Sequence, residues 1–321
     1  AIGKSALSAE TSSNGNTAVG EEALASQNVG GSGDARNTAV GLLAGQDIST
    51  GQQNVFVGAL AGSNATSTDH STLIGYYAGG NGTMTGHDNT LIGAYAGYNV
   101  TGGRNTCVGN FAGAATTYLT SGTDNVFIGN EAKPSAGSNT NVIVIGDGVV
   151  SQGDNNFTFG NTTTDSNIAF GATSITAPSD ERYKEEITTS TAGLSFINDL
   201  RPVTFKWKKA KDVPSDHEAY VEGSDTRVML STGETNHGFI AQEVKTAIDA
   251  HSEIKDGFRM WAEDYREDSD GNVIADGRQR VAPSELIPML TKAIQELSAK
   301  VDALESENTA IKSRLYALEA G

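Results

Sequence analysis

The sequence predicts a mainly β N-terminal region of repeats, then a small α+β domain, then a C-terminal parallel coiled coil. A short motif ending in glycine recurs every 14 to 21 residues from Gly3 to Gly160. Non-repetitive segments of mixed strand and helix pattern follow, and from Ile287 apolar residues recur in strict heptads. The predicted boundaries are 1–171 for the repeat region, 172–178 for a linker, 179–285 for the α+β domain and 286–321 for the coiled-coil helix.

The repeat motif has the form N-T-A-V-G ending at Gly20, N-V-F-V-G ending at Gly58 and N-T-L-I-G ending at Gly93. Its two central residues, such as Phe56 and Val57, are both apolar. Neighbours on a strand point to opposite faces, so both faces need covering. One repeat cannot bury its own faces, but stacked repeats can, and the glycine permits a corner. We predict an intertwined trimeric β-helix or β-roll of ~17-residue repeats, with a single-chain β-solenoid as the alternative.

Composition narrows the classes of partner. The chain carries 39 acidic and 22 basic residues, a net charge of -17, which argues against binding to nucleic acid or to anionic membranes. No run approaches the roughly 18 apolar residues that span a bilayer. Cys107 is the single cysteine and takes a repeat position filled elsewhere by Ala, Phe or Leu, so we interpret it as a core residue. The chain starts inside a repeat, and we interpret it as part of a longer protein.

The C-terminal heptads predict parallel association. The a and d positions are Ile287, Leu290, Ile294, Leu297, Val301, Leu304, Asn308, Ile311, Leu315 and Leu318. In a parallel coil the g residue of one heptad meets the e residue of the next heptad on the partner. These pairs are opposite in charge: Lys300 with Glu305, Glu307 with Lys312, and Arg314 with Glu319. The core residues leave the number of chains open, and Asn308 at an a position fixes register.

Between the repeats and the coil, three strings follow in order. The first is S-D-E-R-Y-K-E-E-I from Ser179, the second is L-S-F-I-N-D-L-R-P-V-T-F-K-W ending at Trp207, and the third is G-F-I-A-Q-E-V ending at Val244. We predict a helix at 192–200, a strand at 203–207, and a strand passing into a helix at 237–244. A hairpin is predicted with its turn near residues 270–271.

These strings resemble the intramolecular chaperone of phage endosialidases and tail fibres. The resemblance implies a homotrimer that templates an intertwined fold upstream and then releases itself through a serine–lysine dyad. The matching residues are Ser179 and Lys184, so it implies a single-turnover serine peptidase acting on its own chain. The repeats resemble, more loosely, the head repeats of trimeric autotransporter adhesins.

The dyad is chemically reasonable from the residues themselves. A serine hydroxyl needs a base, and a lysine serves as one when burial favours its neutral form. Residues five apart need a turn, or a neighbouring subunit, to meet. Attack by Ser179 on the Pro178 carbonyl closes a five-membered ring, which favours cleavage between Pro178 and Ser179. Cleavage between Ser179 and Asp180 stays open for a serine acting in trans, and His237 is a candidate supporting residue.

The sequence thus predicts a viral tail-fibre or tailspike segment that acts in the virion and assembles in the host cytoplasm. Its expected partners are two further copies and a host surface receptor, a glycan, with no nucleic acid and no membrane insertion. A bacterial trimeric adhesin is the alternative, and a glycan-degrading domain would have to lie upstream. No cofactor and no metal site are predicted, because the histidines lack ligand spacing. Residues 268–272 resemble a calcium loop but fit a hairpin turn better.

Overall fold

The computed structural model describes residues 1–321 except 12, 31–32, 216, 218, 231, 268–271 and 320–321. The chain divides into two compact units, Ala1–Lys184 and Glu185–Gly321.

The first unit is a β-solenoid closed by one chain. Its strands in the described residues are β1 Thr17–Val19, β2 Thr38–Val40, β3 Val55–Val57, β4 Thr72–Ile74, β5 Thr90–Ile92, β6 Thr106–Val108, β7 Val126–Ile128, β8 Val142–Asp147, β9 Asn156–Asn161 and β10 Asp165–Ala169. Each strand from β1 to β8 pairs in parallel with the next strand along the chain, and β10 pairs antiparallel with β9.

The repeats and their strand positions are therefore confirmed, and within this chain each repeat pairs with the next one. Interlocking of three chains stays a prediction. We call one repeat of the solenoid a rung. The strand of each rung forms its ladder with the next rung of the same chain, so no second chain is needed for the backbone hydrogen bonds. The two-sided apolar motif is compatible with both arrangements, which is why the sequence left the solenoid as an alternative.

The solenoid core is built from the middle residue of each short strand. These inward residues are fully or almost fully buried: Ala18, Ala39, Phe56, Leu73, Leu91, Cys107 and Phe127. Buried alanines such as Ala61 and Ala96 lie in the same core cluster and leave room for the larger strand residues. Cys107 is a core residue as predicted, and burial raises the pKa of its thiol to about 12.

The glycine that ends each strand is required by the close approach of the next rung. At Gly75 the backbone has φ 132°, a region that side chains rarely adopt. A Cβ there would lie 2.5 Å from the carbonyl oxygen of Gly93, the equivalent residue of the next rung. Glycine is therefore the residue that lets the corners stack at strand spacing.

Buried asparagines link the rungs on one side of the strands. Asn54 Oδ1 accepts from the backbone N–H of Ser71 at 2.9 Å, and Asn105 Oδ1 accepts from that of Asn125 at 3.2 Å. The amide of Asn105 also donates to the carbonyl of Gly122 at 3.0 Å. We call these residues the asparagine ladder. It satisfies backbone groups that the three-residue strands leave without a partner.

The second unit is small and mixed. Its elements in the described residues are α1 Leu194–Asp199, β11 Val203–Phe205, β12 Asn236–Gly238, α2 Ala241–Ala250, β13 Trp261–Glu267, β14 Val273–Val281 and α3 Ile287–Glu319. Strands β11 and β12 pair antiparallel. So do β13 and β14, which lie on either side of the predicted hairpin turn. The predicted turn and the calcium-like loop fall largely on residues 268–271, outside the described residues.

The core of this unit joins α1, α2 and the start of α3. Phe196 of α1 is fully buried and meets the rings of His251 and Phe258 edge to face. Glu296 of α3 accepts a hydrogen bond from the backbone N–H of Leu194 at 2.9 Å. Further along α3 the predicted heptad residues are exposed, so a partner helix for this seam stays a prediction. Within the described part of the chain, no helix is both long enough and apolar enough to cross a membrane.

Candidate functional site

A single turn of 3₁₀ helix, Glu181–Tyr183, brings Ser179 and Lys184 together. The backbone N–H of Tyr183 donates to the carbonyl of Asp180 at 3.1 Å, and that of Lys184 donates to the carbonyl of Glu181 at 3.0 Å. The chain thereby reverses within five residues. Lys184 Nζ donates to Ser179 Oγ at 2.7 Å. The turn that the predicted serine–lysine contact requires is thus present inside one chain.

Asp180 holds this turn at its N-terminal end. Its Oδ1 accepts from the backbone N–H of Arg182 at 2.9 Å, the usual role of a capping carboxylate. The carboxylate also accepts from the Arg182 guanidinium, with Nε–Oδ1 at 3.0 Å and Nη2–Oδ2 at 2.6 Å. This hydrogen bond to the guanidinium is the main reason that the pKa of Asp180 is lowered. The string S-D-E-R-Y-K therefore encodes both the pair and the turn that forms it.

The serine–lysine pair is exposed to solvent in the single chain. A lysine acts as a base when burial disfavours its charged form. In this chain the two side chains lie at hydrogen-bond distance, and both are exposed. Their predicted roles as nucleophile and base stay a prediction.

The residues before the serine are exposed from Gly171 to Ser179. Thr176 of this predicted linker is tied to the solenoid: it exchanges two backbone hydrogen bonds with Asn167 of β10, at 2.7 and 2.8 Å. Pro178 follows two residues later, so the predicted scissile bond lies in an accessible segment that is tethered just upstream. Exposed chain segments are where proteolytic cleavage concentrates.

His237 lies in the second unit, on β12, where it is exposed and pairs across the ladder with Thr204 of β11. Its role in support of Ser179 stays a prediction.

The histidine that the fold holds most firmly is one that the sequence did not single out. His251 caps the C-terminus of α2 and is buried. One ring nitrogen lies 2.8 Å from Asp199 Oδ2, and the other lies 3.2 Å from Glu253 Oε1. The hydrogen bond with Asp199 is the main cause of a raised His251 pKa. Asp199 is 52 residues away in sequence, so no local spacing could signal this cluster.

In the described ranges, no group of three or more His, Cys, Asp or Glu side chains is arranged to hold a metal ion.

The fold and site define a β-solenoid that ends in a turn presenting a serine–lysine pair, followed by a small α/β unit with a long helix. A protein-family model described as "Chaperone of endosialidase" matches residues 179–252, so the match begins at the serine of this pair. Comparison with the curated proteins found no match. Comparison with the solved structures found none either. The matched segment is thus similar to a chaperone family, and it follows the β-solenoid in the chain.

Proposed function

We propose that this chain is the C-terminal part of a trimeric phage tail fibre or tailspike whose last domain assembles the β shaft and then releases itself at Ser179. The observation that carries the proposal is the 2.7 Å contact between Lys184 Nζ and Ser179 Oγ at the first residue of the family match. A lysine with a purely structural role would need only an anion or a hydrogen-bond acceptor as its partner. This pair instead combines a nucleophile with a base next to an exposed backbone segment.

The chemistry balances within the chain and one water. Lys184, in its neutral form, takes the proton of Ser179 Oγ while that oxygen attacks the Pro178 carbonyl carbon through a five-membered ring. The C–N bond of Pro178–Ser179 breaks, and the nitrogen leaves with the proton from the lysine. An ester then joins Pro178 to the serine oxygen. Water hydrolyses the ester to a carboxylate on Pro178 and restores the hydroxyl. Cleavage on the Asp180 side requires a serine from another copy.

Exposure of the pair in one chain supports a link between cleavage and assembly. Partner copies packed over the turn would remove water from Lys184 and favour its neutral form. The exposed heptad seam of α3, with opposite charges at its predicted g and e positions, would gather the copies and raise their local concentration. Cleavage after assembly would remove the template and leave a shaft that is slow to unfold.

In this proposal the mature fibre belongs to the virion and the released domain stays behind in the host cytoplasm. The partners are two further copies and a glycan receptor on the host surface, and the acidic chain binds neither nucleic acid nor membrane. The bacterial trimeric adhesin remains the alternative source for the same fold.

Four variants test the cleavage on a reducing, denaturing gel. Wild-type protein is expected to give two bands, whereas Ser179→Ala and Lys184→Arg give one, because arginine keeps the charge but does not serve as a base. Ser174→Ala, in the same exposed segment, is the matched control and keeps two bands. Lys184→Met, which removes both the base and the charge, is also expected to give one band. Two bands from Lys184→Arg would show that the lysine serves only as a cation that donates a hydrogen bond. Two bands from Ser179→Ala would remove Ser179 as the nucleophile.

A further inference from the structure

On the outward face of the solenoid sheet, the residues that precede the corner glycines are uncharged from β1 to β9, and Asp147, the last residue of β8, lies beyond its corner glycine. Each strand points its middle residue inward and its two flanking residues outward. One outward column consists of Val or Ile just before each corner glycine, as at Val40, Ile92 and Ile145, and the other is mostly Thr, as at Thr38 and Thr90. Both columns end on the phenylalanines of β9. We call these two columns the outer strip.

The outer strip stays open to solvent within the chain. Val40 is 39% exposed, Ile92 37% and Ile145 41%, although each packs against the same column in the rungs above and below. A parallel sheet normally has both faces covered. An uncharged strip on a chain with 39 acidic residues differs from the rest of the surface, and contiguous exposed apolar surface of this kind marks an interaction site.

The period of the strip indicates what covers it. Its side chains repeat once per rung, about 4.8 Å apart, over a length of roughly 40 Å. A surface that matches this period at every rung is the same strip of another copy, parallel and in the same register. The charge pattern of the predicted coil independently favours parallel copies, since Lys300 would face Glu305 of the next chain and Glu307 would face Lys312.

The outer strip has the area of an interface that needs further contacts elsewhere to be stable. A strip of about 40 by 10 Å is ~400 Å², about half of the roughly 800 Å² per partner in a stable interface. The strip alone is therefore too small for an independent dimer. It is large enough to align shafts whose ends are already held together by a coil.

Three aromatic rings of successive rungs stack on one another. Tyr77, Tyr95 and Phe111 each follow a corner glycine by two residues and stack along the solenoid, with centroids 5.8 and 4.6 Å apart and planes within 7° of parallel. Rings stacked in this way use their faces on one another and present mainly edges outward. A sugar ring stacks on an exposed aromatic face, whereas the facing sides of these three rings contact one another.

We propose that complete solenoids pack side by side through the outer strip, parallel and in register with the other copies of this chain. This goes beyond the proposed function, because the shaft is then a bundle of separate solenoids and not a set of interlocked rungs. It rests on the self-association in that proposal but not on the cleavage.

Cysteine scanning of the full-length chain tests the contact. Ile92→Cys and Ile128→Cys lie two rungs apart in the same column, roughly 10 Å at strand spacing, which exceeds the ~7 Å limit between Cα atoms joined by a disulfide. Each variant alone is expected to form disulfide-linked copies under mild oxidation. Co-expressed chains of different mass are expected to link only like with like. The native Cys107 is fully buried and does not compete.

Val150→Cys is the matched control, an equally exposed valine (38%) outside both columns, and is expected to stay unlinked. Links between position 92 and position 128, equal linking by the control, or the solution mass of a single chain would each overturn the proposal. So would an oligomer that links at neither strip position. Cleavage is scored separately on the reduced samples. Like-with-like disulfide links in a chain that is not cleaved would support packing through the outer strip and would refute self-cleavage.

Discussion

Loss of one buried asparagine should destabilise the solenoid by several kcal/mol. In Asn105→Ala, the backbone N–H of Asn125 loses its acceptor at 3.2 Å and the carbonyl of Gly122 loses its donor at 3.0 Å. Both residues are buried, and a buried polar group left without a partner costs about 1–3 kcal/mol. Two such groups predict a loss of ~2–6 kcal/mol in the free energy of unfolding.

The control for this variant lies in the same rung. Asn110 is exposed, and Asn110→Ala should change stability by less than ~0.5 kcal/mol. Both variants are compared with wild type by denaturant unfolding, monitored by far-ultraviolet circular dichroism. If the dependence of the unfolding free energy on denaturant concentration is unchanged, one common slope is used for all three proteins. If Asn105→Ala unfolds at the same denaturant concentration as Asn110→Ala, the asparagine ladder is not what satisfies the buried backbone.

Three further predictions concern the corner, a buried histidine and the turn at the site. Gly93→Ala should destabilise the solenoid by at least about 3 kcal/mol, because its Cβ would lie 2.4 Å from a backbone oxygen and its backbone would be held at φ 134°. Gly153→Ala is the control in the same melting assay. Gly153 has φ 102° but open space around it, so this variant measures the cost of backbone strain alone. The pKa of His251 is higher in the folded protein than its unfolded value of about 6.5. Its contribution to the free energy of unfolding is therefore complete below about pH 6.5 and is lost as the pH rises through the folded pKa. The difference in melting temperature between wild type and His251→Gln should therefore be larger near pH 5.5 than near pH 9, and an equal or reversed difference would contradict the assigned contact with Asp199. Asp180→Ala should slow cleavage about five- to tenfold, because it removes the side chain that caps the turn. Asp180→Asn keeps a capping oxygen and should cleave near the wild-type rate. Equal cleavage rates for the two variants would argue against the cap.

The sequence predicted the strands of the solenoid more closely than it predicted how they close. The apolar pair before each glycine places a strand there whether the next rung comes from the same chain or from another. The decision depends on the path of the chain between corner glycines such as Gly75 and Gly93, and the small-residue pair that recurs there, as at Ala78 and Gly79, is compatible with both arrangements. The links that the asparagines make between rungs, such as Asn54 to Ser71, follow only from the stacking.

At the candidate site, too, some features could be predicted from the sequence and others could not. Ser179 and Lys184 were chosen by motif, and their 2.7 Å contact now has a local cause in the turn capped by Asp180. Exposure of the pair could not be foreseen, because the motif does not state which surface covers it. The cluster around His251 was missed because it joins the end of α1 to the end of α2, and only the packed unit brings those ends together.

The intact masses of the purified fragments test the central claim most directly. A serine–lysine pair that cuts its own chain predicts two fragments, residues 1–178 and 179–321, with a new N-terminus at Ser179. The same preparation of Ser179→Ala should give one mass near 33.3 kDa. A wild-type chain that stays at that single mass after assembly, or one that breaks away from both bonds of Ser179, would contradict the account.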